Sequence, residues 1–299
     1  MKLFHVSSDS TCDLYKDFVE EHEIWFAPLT FTLEQNGKQE EHMDAFSCYG
    51  EYLAFYSAVR AGATPKTAML NYQAHLDHFT KMAKAGVKDV LHFSISSGLA
   101  RTTEVAKEAA AEVKQEYPEF NVLCVDPLTA TIGQGMLVML ACELRDEGKT
   151  AQEAYEYIMD ARLRVQHCIV PNDLFYLKRG GRVSGASAVV GTMLNIKPML
   201  TFDSVGKLQT IEKCRGMKKA FASIVSSIER APLDKKNKIF VVHTDNEPLA
   251  KELATVIENT FGVKPEVVIM GPTIGTHVGP GSVSCAWLST STRNQLLGL

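Results

Sequence analysis

Between residues 89 and 147 the chain alternates strongly enough to fix its class. A strand-like run, Asp89-Val-Leu-His-Phe-Ser-Ile95, passes through Ser94-Ile-Ser-Ser-Gly-Leu-Ala-Arg-Thr102 into a helical pattern over residues 103–117. A second short apolar run at 121–126 leads into another helix at 129–147, with Gly133 and Gly135 in its first turns. Period-two and period-3.6 patterns that take turns in this way predict a parallel sheet with helices on both faces. Ligands of such sheets bind beyond the carboxyl ends of the strands, where Ser8, Ser96 and Asp126 fall. A strand that turns into a helix through hydroxyl residues leaves unpaired N–H groups beside hydroxyl donors, which suits an anion. The same residues also serve as plain helix caps.

The segments before this anchor fit the alternation. A strand over 3–7 precedes Asp9-Ser-Thr-Cys-Asp13, whose side chains suit the start of a helix reaching about His22. A β-like run covers 25–33, Asn36-Gly37 is a hairpin signal, and 44–60 reads as a helix. Phe46, Tyr49, Leu53 and Tyr56 make an apolar stripe on it, the ordinary mark of core packing. The line breaks at Thr64-Pro-Lys-Thr67 before a helix over 71–85. That helix carries His75 and His78 at i,i+3; they share a face that a metal could use, but no third ligand is evident and packing is the simpler reading.

The second half changes character. After a helix at 151–166 come an apolar run at 167–170, the loop Leu177-Lys-Arg-Gly-Gly-Arg-Val-Ser184 and a small-residue segment at 186–194. Runs near 198–202 and 207–213 flank Asp203-Ser-Val-Gly206 as a hairpin. A helix at 217–228, a strand at 239–244, a helix at 247–261 and a strand at 266–270 complete an α+β unit. The stretch Gly271-Pro-Thr-Ile-Gly-Thr-His277-Val-Gly-Pro-Gly281 reads as a loop shaped by glycine and proline to present His277. No linker of Pro, Gly and Ser separates the halves, which places a site in the cleft between two domains in close contact.

Composition narrows the function classes. With 299 residues, 45% hydrophobic and 22% charged, the chain can bury a sizeable core. A net charge of -4 with no basic run gives no reason to expect nucleic acid. Seven scattered cysteines without a C-x-x-C pair fit a reducing compartment and argue against a disulfide frame or a structural zinc. Ser7, Ser8 and Asp9 come too early for a signal-peptide core, and no window of 18 apolar residues occurs, so a cytoplasmic protein is expected. Neither a phosphate loop ending in Gly-Lys-Ser/Thr nor a dinucleotide glycine loop is present.

Six stretches together resemble the DegV family in order and spacing. They are Asp9-Ser-Thr-Cys-Asp-Leu14, Pro65-Lys-Thr67, Ile95-Ser-Ser-Gly-Leu99, Asp173-Leu-Phe-Tyr-Leu-Lys-Arg-Gly-Gly-Arg-Val-Ser184, Leu194-Asn-Ile-Lys-Pro198 and the Gly271 to Gly281 run. The resemblance spans the chain. It implies a two-domain α/β protein: an N-terminal α/β/α domain with a parallel sheet, residues 1–160, and a smaller C-terminal α+β domain, residues 161–299, with the ligand between them. It also implies a carrier rather than an enzyme. The family includes the FakB subunits of bacterial fatty acid kinase, which bury one long-chain fatty acid and present its carboxylate to the kinase FakA for acyl-phosphate formation, a step toward phospholipid synthesis. Carried over, the carboxylate ligands are Thr67, Ser96 or Ser97, and His277, and Arg182 and Arg215 match arginines thought to meet the kinase. No cofactor or metal is implied beyond the bound fatty acid, and membrane contact is at most transient. The chain departs from the family pattern at Thr67-Ala-Met-Leu-Asn71, which lacks the usual serine and proline, and at Ala100-Arg101, where small polar residues are usual. Two rival readings follow from the same residues. One is a binding or regulatory protein for another small acid. The other is a serine hydrolase or acyltransferase with Ser96 or Ser97 as nucleophile and His277 as base, although the flanks are not G-x-S-x-G.

Overall fold

The computed structural model describes residues 2–182 and 196–297. The small-residue segment at 186–194, positions 183 and 184 of the Gly-Gly-Arg motif and positions 194 and 195 of the motif before Pro198 lie outside the described residues. In chain order the first half runs β1 (His5–Asp9), α1 (Lys16–Glu21), β2 (Trp25–Ala27), β3 (Thr30–Gln35), β4 (Lys38–Met43), α2 (Tyr49–Arg60), β5 (Thr64–Ala68), α3 (Tyr72–Lys84), β6 (Asp89–Phe93), α4 (Thr102–Glu116), β7 (Asn121–Val125), α5 (Ile132–Asp146) and α6 (Ala151–Ala161). The second half runs β8 (Val165–Val170), α7 (Leu174–Arg179), β9 (Ile196–Phe202), β10 (Leu208–Arg215), α8 (Gly216–Arg230), β11 (Ile239–His243), α9 (Glu247–Phe261), β12 (Glu266–Ile269), α10 (Pro272–Val278), β13 (Val283–Leu288) and α11 (Arg293–Leu297).

The described residues form three sheets. Strands β2-β1-β6-β7 form the expected parallel sheet, β4-β3-β5 a small antiparallel one, and β10-β9-β8-β13-β11-β12 a larger sheet that is antiparallel apart from the β11-β12 pair. One apolar core runs through both halves: Phe4, Phe93 and Leu137 from the first join Leu200, Phe240 and Ala286 from the second. Helix α5 makes the seam, packing on β1 and β6 and also on β8 and β13. Eleven of its fifteen residues are buried, which is why its sequence is apolar on nearly every side.

Several elements depart from the sequence expectation, each for a local reason. The run at 25–33 is two strands in two sheets. Pro28 between them has no N–H to continue a ladder, and the Ser10 hydroxyl accepts from the backbone N–H of Leu29 at 3.1 Å. Thr64-Pro-Lys-Thr67, expected as a break, is strand β5; it lies on the edge of its sheet, where Pro65 opposite Leu33 forfeits no bond the sheet requires. The hairpin at Asn36-Gly37 is as expected, with φ of 54° and 75° at its two central residues. The His277 loop is a helix, α10: Pro272 starts it and Gly279, at φ 75°, ends it. Strand β13 was not anticipated, because Val-Ser-Cys-Ala-Trp-Leu is buried on both faces at the centre of a sheet and shows no alternation. The expected helix at 151–166 stops at Ala161 and the chain re-enters the sheet at Val165.

Candidate functional site

The two halves close on an apolar cavity of about 430 Å³. Its walls come from the first half through Leu29, Ile95 and Leu99 and from the second through Leu177, Phe202 and Ile274. This size and character suit a small amphiphile. Thr67 and His277 stand together in the wall, Thr67 Oγ1 lying 2.9 Å from His277 Nε2. Each is held by its element. Thr67 is on β5 opposite Phe31, and His277 is in the last turn of α10, on the same face as Ile274 one turn before it.

The imidazole is held neutral. Burial pushes its pKa down to about 4, helped by the positive charges of Arg182 and Arg179. Gly180 of the Gly-Gly-Arg motif permits this arrangement, since a β-carbon there would collide with His277 Nδ1. Arg182 borders the cavity and donates to the Gly180 carbonyl, while Arg179 lies 5.3 Å from the Tyr176 ring centroid and 5.8 Å from that of Phe175. A neutral imidazole carries one N–H, so within the Thr67–His277 bond one group donates to the other, and a ligand oxygen that comes between them can accept from both, in a wall that is mostly apolar. An acceptor-only group such as a carboxylate needs that pattern.

The structure does not bring Ser96 and Ser97 to this wall. Ser96 is fully buried; its hydroxyl donates to the Gly206 carbonyl at 2.8 Å and accepts from the Gly98 N–H at 3.1 Å. Ser97 donates to Asp126 Oδ2 at 2.5 Å, and its N–H reaches Asp126 Oδ1 at 3.2 Å. Nor do they cap α4, whose N-cap is Arg101 without a side-chain bond. The loop is instead fastened to the β9-β10 turn and to the end of β7, which sets Ile95 and Leu99 in the cavity wall. Polar wall groups that motif reading passed over are Thr102, Thr131 and Thr273, and Arg101 borders the cavity too. Arg215 is exposed at the N-cap of α8 and does not line the cavity.

His75 and His78 are packing groups. Ser7 Oγ lies 2.8 Å from His78 Nε2 and 2.9 Å from His92 Nδ1. His75 is fully buried with neither ring nitrogen hydrogen-bonded and stacks on Phe79 at 5.7 Å. Among the described residues no group of three or more His, Cys, Asp or Glu is placed to hold a metal ion, and no helix is long and apolar enough to cross a membrane.

A parallel-sheet half and a largely antiparallel half, sharing one core and closing on an apolar cavity with a Thr–His pair in its wall, define a two-part α/β protein with an interior site. A family model described as "Uncharacterised protein, DegV family" matches residues 4–290, and the chain belongs to the DegV family. The DegV domain-containing protein YteA of Lactococcus lactis is 31% identical over 295 residues, covering 97% of this chain and 99% of that protein. A DegV lipid-binding protein of Thermotoga maritima is 28% identical with a TM-score of 0.82, covering 98% of this chain and 100% of the other. A DegV family protein of Thermus thermophilus, described by its fatty acid binding, is 27% identical with a TM-score of 0.80 over 97% of this chain and 100% of that one.

Proposed function

We propose that this chain binds one long-chain fatty acid in the apolar cavity, holds its carboxylate at Thr67 and His277, and presents it to a separate kinase of the FakA type. The observation that carries the reading is the Thr67–His277 pair, a hydroxyl and a neutral imidazole hydrogen-bonded at 2.9 Å in a wall otherwise built largely of aliphatic side chains. Thermotoga and Thermus relatives described as lipid- or fatty-acid-binding, similar over almost their whole length, support it.

The energetics divide the work. At about 0.8 kcal/mol per buried CH2, the roughly 14 methylenes of palmitate supply on the order of 11 kcal/mol before ordering costs. Each charge-assisted head-group bond adds only about 1.5–3 kcal/mol. The acyl chain therefore sets how tightly the acid binds, and the Thr–His pair sets which way round it sits. Ser96 and Ser97 act one layer back, by holding Ile95 and Leu99 in place. Their hydroxyls meet the Gly206 carbonyl and Asp126 rather than an imidazole, so the arrangement of an activated serine nucleophile is missing at both.

Arg182, exposed beside the cavity, and Arg215, exposed at the start of α8, are the proposed kinase contacts. Reversing the charge of Arg215, which does not line the cavity, is expected to lower phosphorylation by the partner and leave lipid content unchanged, while reversing that of Arg182, which borders the cavity beside His277, is expected to lower phosphorylation more than lipid content. Mass spectrometry of an organic extract of the purified protein tests the central reading. Fatty acid near one equivalent is expected; an extract without it, or with a different small acid, overturns the proposal.

A further inference from the structure

On the other side of the chain segment that starts α10 lies a second cavity, of about 350 Å³, bordered by Asp13, Asp44, Phe26, Phe46, Tyr52 and Gly271. Of its three carboxyl groups Glu20 is exposed and two are deeply placed, Asp13 being 7% and Asp44 6% exposed. They converge on one point. A β-carbon on Gly271 would press against Asp13 Oδ1 and lie 3.5 Å from Asp44 Oδ1.

The partners of these acids leave one charge unanswered. Asp13 accepts the Gly271 N–H at 3.0 Å and the Thr131 hydroxyl at 2.5 Å, both from neutral donors. Asp44 Oδ2 is buried without a hydrogen bond of good geometry, and the groups that favour its charged form, Thr273 through its hydroxyl and N–H and Ser10 through its hydroxyl, are again neutral donors. Lys16 borders the cavity, but its side chain is 49% exposed and its ammonium lies 3.6 Å from Glu20. Burial pushes Asp44 up to about 6 and Asp13 well above the carboxylate range, and the charge of Asp44 raises Asp13 further. Carboxyls so placed are stabilised by a positive charge brought between them.

The rest of the lining says what kind of cation. Among the described residues no set of three ligating side chains is placed to hold a metal ion. Phe46 and Tyr52 meet edge to face at 5.0 Å, and with Phe26 they offer ring faces and apolar surface rather than ligands. Ring faces attract ammonium groups and accept an apolar body, while an ammonium has three N–H donors for carboxylate oxygens. The geometry points to a second binding site in this chain, for a primary ammonium with a short apolar tail, its nitrogen between Asp44 and Asp13 and its tail against Phe26, Phe46 and Tyr52.

Calorimetric titration of the full chain, as purified, with n-hexylammonium chloride tests this, with hexan-1-ol as the uncharged counterpart. Saturable binding of the ammonium at one site is expected, none of the alcohol, and no change in the lipid content of the protein. Asp44→Asn is expected to weaken binding by about tenfold or more, the effect of about 1.4 kcal/mol. Phe46→Leu, which keeps apolar volume but removes the ring, weakens it by roughly two- to fivefold. Lys16→Met, which removes a competing positive charge, tightens it. The inference is overturned if the alcohol binds as well as the ammonium or if the ammonium expels bound lipid. It is overturned equally if neither Asp44→Asn nor Phe46→Leu changes the affinity, or if Lys16→Met lowers thermal stability and leaves the ammonium unbound, which would make Lys16 the resident counter-ion.

Discussion

Thr67 and His277, 210 positions apart in the chain, share a hydrogen bond of 2.9 Å that ties the edge strand of the small sheet to the helix after β12. Closing the fold is what creates the pair, so whatever sits against it touches both halves at once.

Thr67→Val deletes the hydroxyl and keeps the shape, and His277→Ala removes the imidazole. Each is expected to leave a protein that still carries lipid, since the chain supplies most of the affinity, with a loss of about 1.5–3 kcal/mol in fatty-acid binding. Delivery of the carboxylate to a partner kinase should fall much further, because the head group is then misplaced. Fatty-acid titration alongside a phosphorylation assay reads both; unchanged delivery from either variant contradicts the assignment.

His277 is expected to titrate near pH 4 in the lipid-free protein, held down by burial and by Arg182 and Arg179. A bound carboxylate favours the protonated ring and moves that value up. The complex then holds more protons than the free protein above pH 4, so fatty-acid affinity rises as pH falls into that window, until the acid itself is protonated. Arg182→Gln should raise the lipid-free value. Imidazole NMR signals followed through a pH titration, with and without palmitate, measure all three effects.

The histidines behind the parallel sheet make the fold acid-sensitive. Burial lowers His75 from 6.5 to about 4, so between those values the unfolded chain binds more protons than the folded one. Stability is therefore full above pH 6.5 and is lost as pH falls toward 4, by up to about 3 kcal/mol for a wholly buried ring. His75→Leu removes two unpartnered nitrogens and should flatten this dependence, with equal or higher stability at pH 7. Urea unfolding at pH 7 and pH 5 compares the two proteins.

Ser97→Ala takes one donor from Asp126, which keeps the N–H groups of Ser97 and Leu128. A stability loss of about 1 kcal/mol with unaltered fatty-acid content is expected. A tenfold drop in lipid affinity without loss of stability would instead put the Ser97 hydroxyl on the ligand.

Much of the architecture was legible because its signals are local. Helix α9 runs over Glu247–Phe261, as its apolar spacing predicts, and β6 and β7 follow from short apolar runs. What escaped depends on distant partners. Pro65 sits in a strand only because β5 is an edge, and β13 has no polar face to betray it. Arg293 has no local signal at all, yet its buried guanidinium donates to the carbonyls of Leu128, Val165, Arg162 and Asp203. In the site, the motifs name the segments that carry Thr67 and His277, which the fold brings together. It could not tell that the Ser96 and Ser97 hydroxyls turn to Gly206 and Asp126, since those acceptors arrive through tertiary folding.

Crystals of the protein loaded with a bromine-labelled long-chain fatty acid test the account most directly, because anomalous scattering fixes the tail and the density fixes the head. The account predicts the carboxylate within hydrogen-bond distance of Thr67 Oγ1 and His277, with the hydrocarbon running between Leu177, Phe202 and Ile274. A carboxylate seated elsewhere, or a cavity that takes no lipid, would contradict it.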